Sequence, residues 1–180
     1  SNLITLAEYL KNNNYKTMAI TTHSFVDSNH GFSQGFDIFD ELNHRGNDDI
    51  SSERISKKAI ELISDNKDDK FFLWVHYFDP HAAYINHEEY NYGQNPNGNY
   101  PDVLKAVPLN NDDYDLNPEF VQYVNDVYDE EVSFTDRSVG KVIDAISDMG
   151  LKEDTVIILT VDHGEELFDR TRFGHGDNTY

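Results

Sequence analysis

The feature that most constrains the fold is a near-continuous apolar run of eight residues, Phe71–Phe78 (FFLWVHYF). Charged residues precede this run, and Asp79 and Pro80 follow it directly. A short apolar run with such boundaries is typical of a strand covered on both faces, because a half-exposed strand alternates apolar and polar residues. Strands of this kind occur in parallel sheets that lie between helices. The run therefore predicts an α/β fold with Phe71–Phe78 as a central strand.

Further strands and helices are predicted on both sides of this run. Residues 17–22 (TMAITT) and 155–161 (TVIILTV) are rich in β-branched residues, and they predict two more buried strands of the same sheet. Apolar residues at helical spacing predict a short helix over 5–13, a second one that begins near Ser51, and a long one over 119–149. The order of these elements predicts a mainly parallel sheet packed between helices.

Length and composition favour one folded domain, or part of one, over residues 1–180. The hydrophobic content of 38% argues against disorder, although the formal net charge is −20. All five prolines fall within residues 79–118, which predicts a long irregular loop. Loops of that length in compact domains usually serve a site or a lid.

The charge and the hydropathy pattern restrict the partners of the chain. A net charge of −20 repels phosphate backbones and anionic headgroups, so nucleic acids and anionic membrane surfaces are unfavourable partners and cations are favourable ones. No stretch approaches the ~20 consecutive apolar residues that a membrane span needs. The chain has no cysteine, which excludes disulfides and thiolate metal sites within it.

Asp162 and His163 form the sharpest candidate site, because they stand directly after the predicted strand 155–161. Ligands of open α/β sheets bind at the carboxyl ends of the strands. A carboxylate next to an imidazole supplies two metal ligands there. An Asp-x-Gly turn is the structural alternative, since Gly164 follows and such turns are common after strands.

Other histidines are weaker candidates when each is considered alone. His81 follows the apolar run at the start of the long loop, and His175 lies between two glycines. Taken alone, a histidine in the position of His81 is more often structural. The flexible residues beside His175 suit a side chain that approaches a ligand, and they suit a surface turn equally well. His76 is expected to be a core residue, and His87 lies in a polar loop with no evident partner.

Taken together, these segments resemble the sulfatase family of the alkaline phosphatase superfamily. The resemblance rests on several motifs in the same order and at similar spacing, and it covers nearly the whole chain. The motifs are YKTMAI (residues 15–20), QGFDIFDE (34–41), FFLWVHYFDPHAAY (71–84), YDEEVSFTDRSVG (128–140), DTVIILTVDHGEE (154–166) and GHG (174–176).

The resemblance implies a role for four side chains. Asp162 and His163 would bind a divalent cation, usually calcium in this family. His81 would contact the sulfate and the leaving oxygen, and His175 would contact the same sulfate. The implied activity is hydrolysis of a sulfate ester on a small molecule or a glycan. The resemblance also implies an alkaline phosphatase-like sheet between helices and a periplasmic or extracellular location, and it leaves the oligomeric state open.

The chain also departs from the family pattern. The C/S-x-P-x-R segment, whose Cys or Ser becomes the formylglycine nucleophile, is absent, as is an early Asp-Asp pair. Both are expected upstream of residue 1, so the catalytic domain is expected to be incomplete at both ends. Residues 21–24 read TTHS where the family has a lysine and a histidine, and His23 is the nearest substitute. The 180-residue chain alone is therefore expected to be inactive and to bind calcium weakly.

Two other functions remain open at this point. A phosphodiesterase, phosphonate hydrolase or phosphoryl transferase of the same superfamily would share the Asp-His pair and differ mainly in the nucleophile. A noncatalytic binding module could also derive from the same fold, because a fold does not establish a function.

Overall fold

The computed structural model describes residues 3–42, 51–81, 83–87, 89–93, 103–104, 117–168 and 173–175. The chain divides into two compact units, one formed by Ser1–Phe78 with Thr135–Val156 and the other by Asp79–Phe134 with Ile157–Tyr180. Most of the expected loop over 79–118 lies outside the described residues. The expectation of one partial catalytic domain over 1–180 stays a prediction.

The described residues form three α-helices, two three-residue 3₁₀ helices (Ser28–His30 and Lys152–Asp154) and seven strands. In chain order the helices are α1 (Leu6–Lys11), α2 (Ser52–Asp65) and α3 (Pro118–Asp148), and the strands are β1 (Lys16–Thr21), β2 (Ile38–Glu41), β3 (Phe71–Val75), β4 (Tyr84–Ile85), β5 (Val103–Leu104), β6 (Glu166–Leu167) and β7 (Phe173–Gly174). No helix among them is long and apolar enough to cross a membrane.

The first unit contains a parallel sheet in the order β2-β1-β3. This arrangement confirms the predicted α/β class with a parallel sheet. The central strand is β1, in which five of the six residues are buried. The apolar run predicted as the central strand is instead an edge strand in the described sheet, and it ends at Val75 rather than Phe78. Its residues are only partly buried because no described strand pairs with its other side.

The predicted strand over residues 155–161 is wrong for this structure. These residues have no assigned secondary structure. Their apolar side chains are exposed, with Val156 at 86% and Val161 at 81% of full accessibility. The sequence has strong β propensity, but a strand forms only when a neighbour accepts its hydrogen bonds, and no described residue pairs with this segment.

Helices cover both faces of the sheet in the first unit. On one face, Met18 and Ile20 of β1 pack with apolar residues of α2 and of the C-terminal half of α3. On the other face, Phe72 and Trp74 of β3 line an open cavity of about 420 Å³ together with residues of α1. The predicted packing of a parallel sheet between helices is therefore present.

The helix ends follow from local sequence. Helix α1 begins with a capping box in which the Thr5 hydroxyl accepts from the Glu8 amide and the Glu8 carboxylate accepts from the Thr5 amide. Pro118 opens α3, where the missing amide hydrogen costs nothing. Gly150 ends α3 with a φ of 74° in a Schellman arrangement, since the Gly150 amide donates to Ser147 and the Leu151 amide donates to Ile146.

Asp37 joins α1 to the start of the sheet. Its Oδ1 lies 2.7 Å from Nζ of Lys11, and its Oδ2 accepts a hydrogen bond of 3.0 Å from the Thr17 amide. The hydrogen bond from Lys11, followed by the one from the Thr17 amide, lowers the pKa of Asp37 to about 2. The Asp37 carboxylate therefore stabilises the folded state at every pH at which it is ionised.

Asp37→Asn is expected to lower the free energy of unfolding by about 1 kcal/mol at pH 7. A depressed pKa gives stability that is fully present above the unfolded value near 3.8 and is lost as the pH falls through about 2. Urea titrations at pH 7 and pH 2.5 would check this, with Asp68→Asn on the exposed surface as the charge-matched control. A difference between the two variants that does not shrink at the lower pH would contradict the assignment.

The second unit has its own core around Tyr84. Tyr84 is fully buried and packs with Tyr123, Val124 and Val127 of α3. Its ring also meets the ring of Phe173 edge-on, with centroids 5.7 Å apart. These contacts hold β4, α3 and the β6–β7 hairpin together as the support of the candidate site.

Candidate functional site

A short hairpin places Glu165 opposite His175. Strands β6 and β7 are antiparallel, with Glu166 paired to Gly174, so the next pair outward in register is Glu165 and His175. His175 Nδ1 lies 2.6 Å from Glu165 Oε1. Gly174 has a φ of 99°, a backbone conformation that a side chain would strain, which explains the glycine before this histidine.

Three of the predicted site residues lie together. The rings of His163 and His175 have centroids 4.2 Å apart, and those of His81 and His175 have centroids 4.9 Å apart. His81 and His175 are nearly a hundred residues apart in sequence, so their contact is a product of the fold. The predicted roles of these side chains in catalysis and metal binding stay predictions.

Asp162 is the most exposed of the predicted site residues, with 86% of its side chain accessible. Its Oδ1 accepts a hydrogen bond of 2.9 Å from the His163 amide, and its Oδ2 lies 3.7 Å from His163 Nε2. The first contact is that of a local Asp turn, and the second places a carboxylate oxygen beside an imidazole nitrogen. The geometry thus suits both the turn and the metal-ligand interpretation.

Glu165 is a candidate residue to which the sequence alone assigned no role. Its side chain is 5% exposed, and it lies near the hydroxyls of Tyr84 and Tyr128. Burial, followed by the negative charge of Glu165, raises the pKa of both tyrosines. A buried carboxylate with an oxygen within 4.8 Å of a ring nitrogen of each of two histidines, His163 and His175, is a candidate functional residue. The one sequence feature that could have indicated a role for Glu165 was its position in the DHGEE motif (residues 162–166).

Glu130 and Glu131 of α3 anchor the chain that follows His81. Glu130 accepts hydrogen bonds from the amides of His87, Tyr92 and Gly93 at 2.6 to 2.9 Å. Both carboxylates are buried, at 0% and 1% exposure.

His87 has a partner that the sequence did not indicate. Its Nε2 lies 3.1 Å from Oε2 of Glu131, and its ring stacks on Phe134 with centroids 4.3 Å apart. Burial raises the pKa of Glu131, while the contacts with His87 and the Ile85 amide oppose that shift. Buried carboxylates of this kind hold a loop in one conformation when their partners are all present.

The first unit contains the remaining candidate. His23 stacks on Phe78 with ring centroids 4.2 Å apart. Its predicted role as a substitute for the family's lysine-histidine pair stays a prediction.

The described side chains fit a divalent cation. One ligand atom each of His163, Glu165 and His175 lies within 4.8 Å of the others. Asp162 Oδ2 lies close enough to His163 to join such a set.

Comparison with known proteins identifies the family. The family model for sulfatases matches residues 2–180. Iduronate 2-sulfatase from Mus musculus is 26% identical over 225 aligned positions, and the protein of that name from Homo sapiens is 25% identical over the same length. Each alignment covers 92% of this chain and 41% of the relative, so the chain spans less than half the length of these relatives. With a family match over nearly every residue, this chain belongs to the sulfatase family.

Proposed function

We propose that the protein containing this chain hydrolyses sulfate esters, with a formylglycine nucleophile outside these 180 residues. The observation that carries the proposal is the meeting of His81, His163 and His175 beside Asp162 in a chain of the sulfatase family. Imidazoles are suited to an anionic ester, because they donate hydrogen bonds to its oxygens and attract it when protonated. This matters in a chain with a net charge of −20, which otherwise repels anions.

His81 and His175 have separate tasks in this proposal. His175 is held by Glu165, so its ring is fixed in one orientation, as positioning of an anionic group requires. His81 lies edge-on to His175 and would donate a proton to the departing alkoxide as general acid. The anchored segment after His81 limits the movement of this residue.

Asp162 and His163 would hold the divalent cation, which the sequence resemblance indicates to be calcium. When bound, the cation withdraws charge from the sulfate oxygens. Buried Glu165 borders the same position and adds negative charge that favours cation binding.

The names of the two relatives support a proposal for the substrate class. Both are named iduronate 2-sulfatase, which describes a sulfate ester on a sugar. We therefore propose a sulfated glycan or another sugar sulfate as the substrate.

The full-length protein is expected to release sulfate from aryl sulfates or sulfated sugars much faster than it releases phosphate from the matching phosphate esters. The 180-residue chain alone is expected to release neither, because it lacks the nucleophile segment. Ion chromatography of sulfate and phosphate released from paired substrates would measure both rates. Faster phosphate release would select phosphoryl-transfer chemistry instead, and no release from any ester would favour a binding module.

A further inference from the structure

Tyr84 places a buried hydroxyl beneath the candidate site. Its side chain is 0% exposed, and its hydroxyl donates a hydrogen bond to the carboxylate of Glu165. No other acceptor for this hydroxyl is present among the residues that the structure describes. A buried hydroxyl costs free energy unless it has an acceptor, so the folded chain is expected to keep Tyr84 and Glu165 in contact.

Glu165 connects Tyr84 to His175. The Glu165 side chain is 5% exposed, and its Oε1 lies 2.6 Å from Nδ1 of His175. An ionised carboxylate accepts hydrogen bonds and donates none, so Tyr84 and His175 are both donors to Glu165. Because two donors constrain the carboxylate from different directions, its orientation is fixed more firmly than His175 alone could fix it.

The contact with Glu165 determines how the ring of His175 is presented. His175 follows Gly174, the last paired residue of β7, so the backbone pairing of the hairpin ends just before it. Its ring is 32% exposed and borders the rings of His81 and His163. Since Nδ1 is held by the carboxylate, Nε2 is the ring nitrogen left for a bound ligand.

Tyr84 is a rigid support for this arrangement. Its ring packs with Tyr123, Val124 and Val127 of α3 in the core of the second unit. It also meets the ring of Phe173, two residues before His175, with centroids 5.7 Å apart. Side chains in close-packed cores have little freedom to move, so the hydroxyl of Tyr84 is a donor at a fixed position.

We propose that Tyr84 and Glu165 are positioning residues for His175. The buried hydroxyl of Tyr84 fixes the carboxylate of Glu165, and this carboxylate holds Nδ1 of His175 so that Nε2 points toward the sulfate ester. The presence of the ester rests on the proposed function, whereas the positioning rests on the contacts of Tyr84 and Glu165.

Tyr84→Phe in the full-length protein tests the proposal, because it removes the hydroxyl and keeps the ring. It is expected to raise KM for a sulfate ester by about tenfold and to leave kcat within about threefold, since a misdirected His175 binds the sulfate group less well. A purely structural role would lower the amount of folded enzyme, which reduces the apparent kcat and leaves KM unchanged.

Tyr128→Phe is the matched control. The Tyr128 hydroxyl feels the negative charge of Glu165 but, within the described part of the chain, shares no hydrogen bond with it. This variant is expected to change KM by less than about twofold. An unchanged KM in Tyr84→Phe, or an equal rise in both variants, would overturn the proposal.

A double-mutant cycle shows whether Tyr84 acts through His175. In a His175→Ala background, Tyr84→Phe is expected to produce no further rise in KM, because the residue that it positions is already gone. A tenfold rise that persists in this background would contradict the proposed route.

NMR of the His175 ring is a readout that does not depend on turnover. In full-length protein labelled with ¹⁵N-histidine, the Nδ1–H proton of His175, assigned by its loss in His175→Ala, is expected to exchange slowly with water. Tyr84→Phe is expected to accelerate this exchange by about tenfold or more, and Tyr128→Phe is expected to leave it unchanged. Unchanged exchange in Tyr84→Phe would overturn the proposal.

Glu165→Gln covers the case in which Tyr84→Phe fails to fold. It keeps the shape of the side chain but leaves one oxygen to accept from both Tyr84 and His175, so faster exchange of the His175 proton is expected here too. Slow exchange in this variant, or no slowly exchanging proton in the unaltered protein, would contradict the positioning role. Absence of sulfatase activity with a protected His175 proton would refute the proposed function and leave the positioning standing.

Discussion

Glu130→Ala is expected to lower the free energy of unfolding by about 3 kcal/mol or more. The carboxylate is fully buried and accepts from the amides of His87, Tyr92 and Gly93. Alanine leaves three donors without an acceptor, and each unsatisfied buried donor costs about 1 to 3 kcal/mol. The loop could recover part of this cost only by opening to water.

Urea titration followed by circular dichroism would measure the loss, and amide hydrogen exchange would locate it. Exchange at His87, Tyr92 and Gly93 is expected to accelerate in the variant more than exchange in β1, which lies in the other unit. Glu119→Ala, an exposed change in the first turn of the same helix, is the control. A loss below about 1 kcal/mol would show that the three amides find other acceptors.

The sequence predicted the sheet well where local composition decides the structure. Residues 17–22 and 71–78 have the apolar, β-rich character of buried strands, and they pair in parallel as β1 and β3. The order of strands depends on which neighbours are present, and no local pattern contains that information. For this reason the more apolar run became an edge strand, and residues 155–161 formed no strand despite strong β propensity.

In the candidate site, too, the local sequence identified individual residues but not the contacts that depend on the fold. Motif order identified His81, His163 and His175, which the fold brings together. The motifs assigned no role to Glu165, because its contact with His175 arises from the register of the β6–β7 pair, in which each strand is only two residues long.

The hydrogen-bond partners of the buried glutamates in α3 could not be predicted from the sequence. The sequence indicated no role for the buried glutamates of α3, Glu130 and Glu131. Their partners are backbone amides of β4 and of the segment after it, about forty residues away, and backbone amides carry no sequence signature.

Asp162→Ala in the full-length protein is expected to reduce sulfate release by about 100-fold or more while leaving stability within about 0.5 kcal/mol. Both the small effect on stability and the large effect on the rate follow from the position of the Asp162 side chain. With 86% of its side chain exposed, Asp162 supports little of the folded structure, so its removal costs little stability. Its Oδ2 lies 3.7 Å from His163 Nε2, so its removal takes a carboxylate from the proposed cation site.

The comparison that decides the role of Asp162 uses two matched variants. Asp136→Ala removes the same charge from an exposed position of α3 and is expected to leave sulfate release unchanged. Asp162→Asn retains an oxygen that can accept the His163 amide, so a structural turn would survive it, whereas loss of the anionic ligand would not. A large rate loss in both Asp162 variants with unchanged melting temperatures supports the metal-ligand role. Full activity in Asp162→Asn would identify Asp162 as a turn residue and place the cation on the other donors of the site.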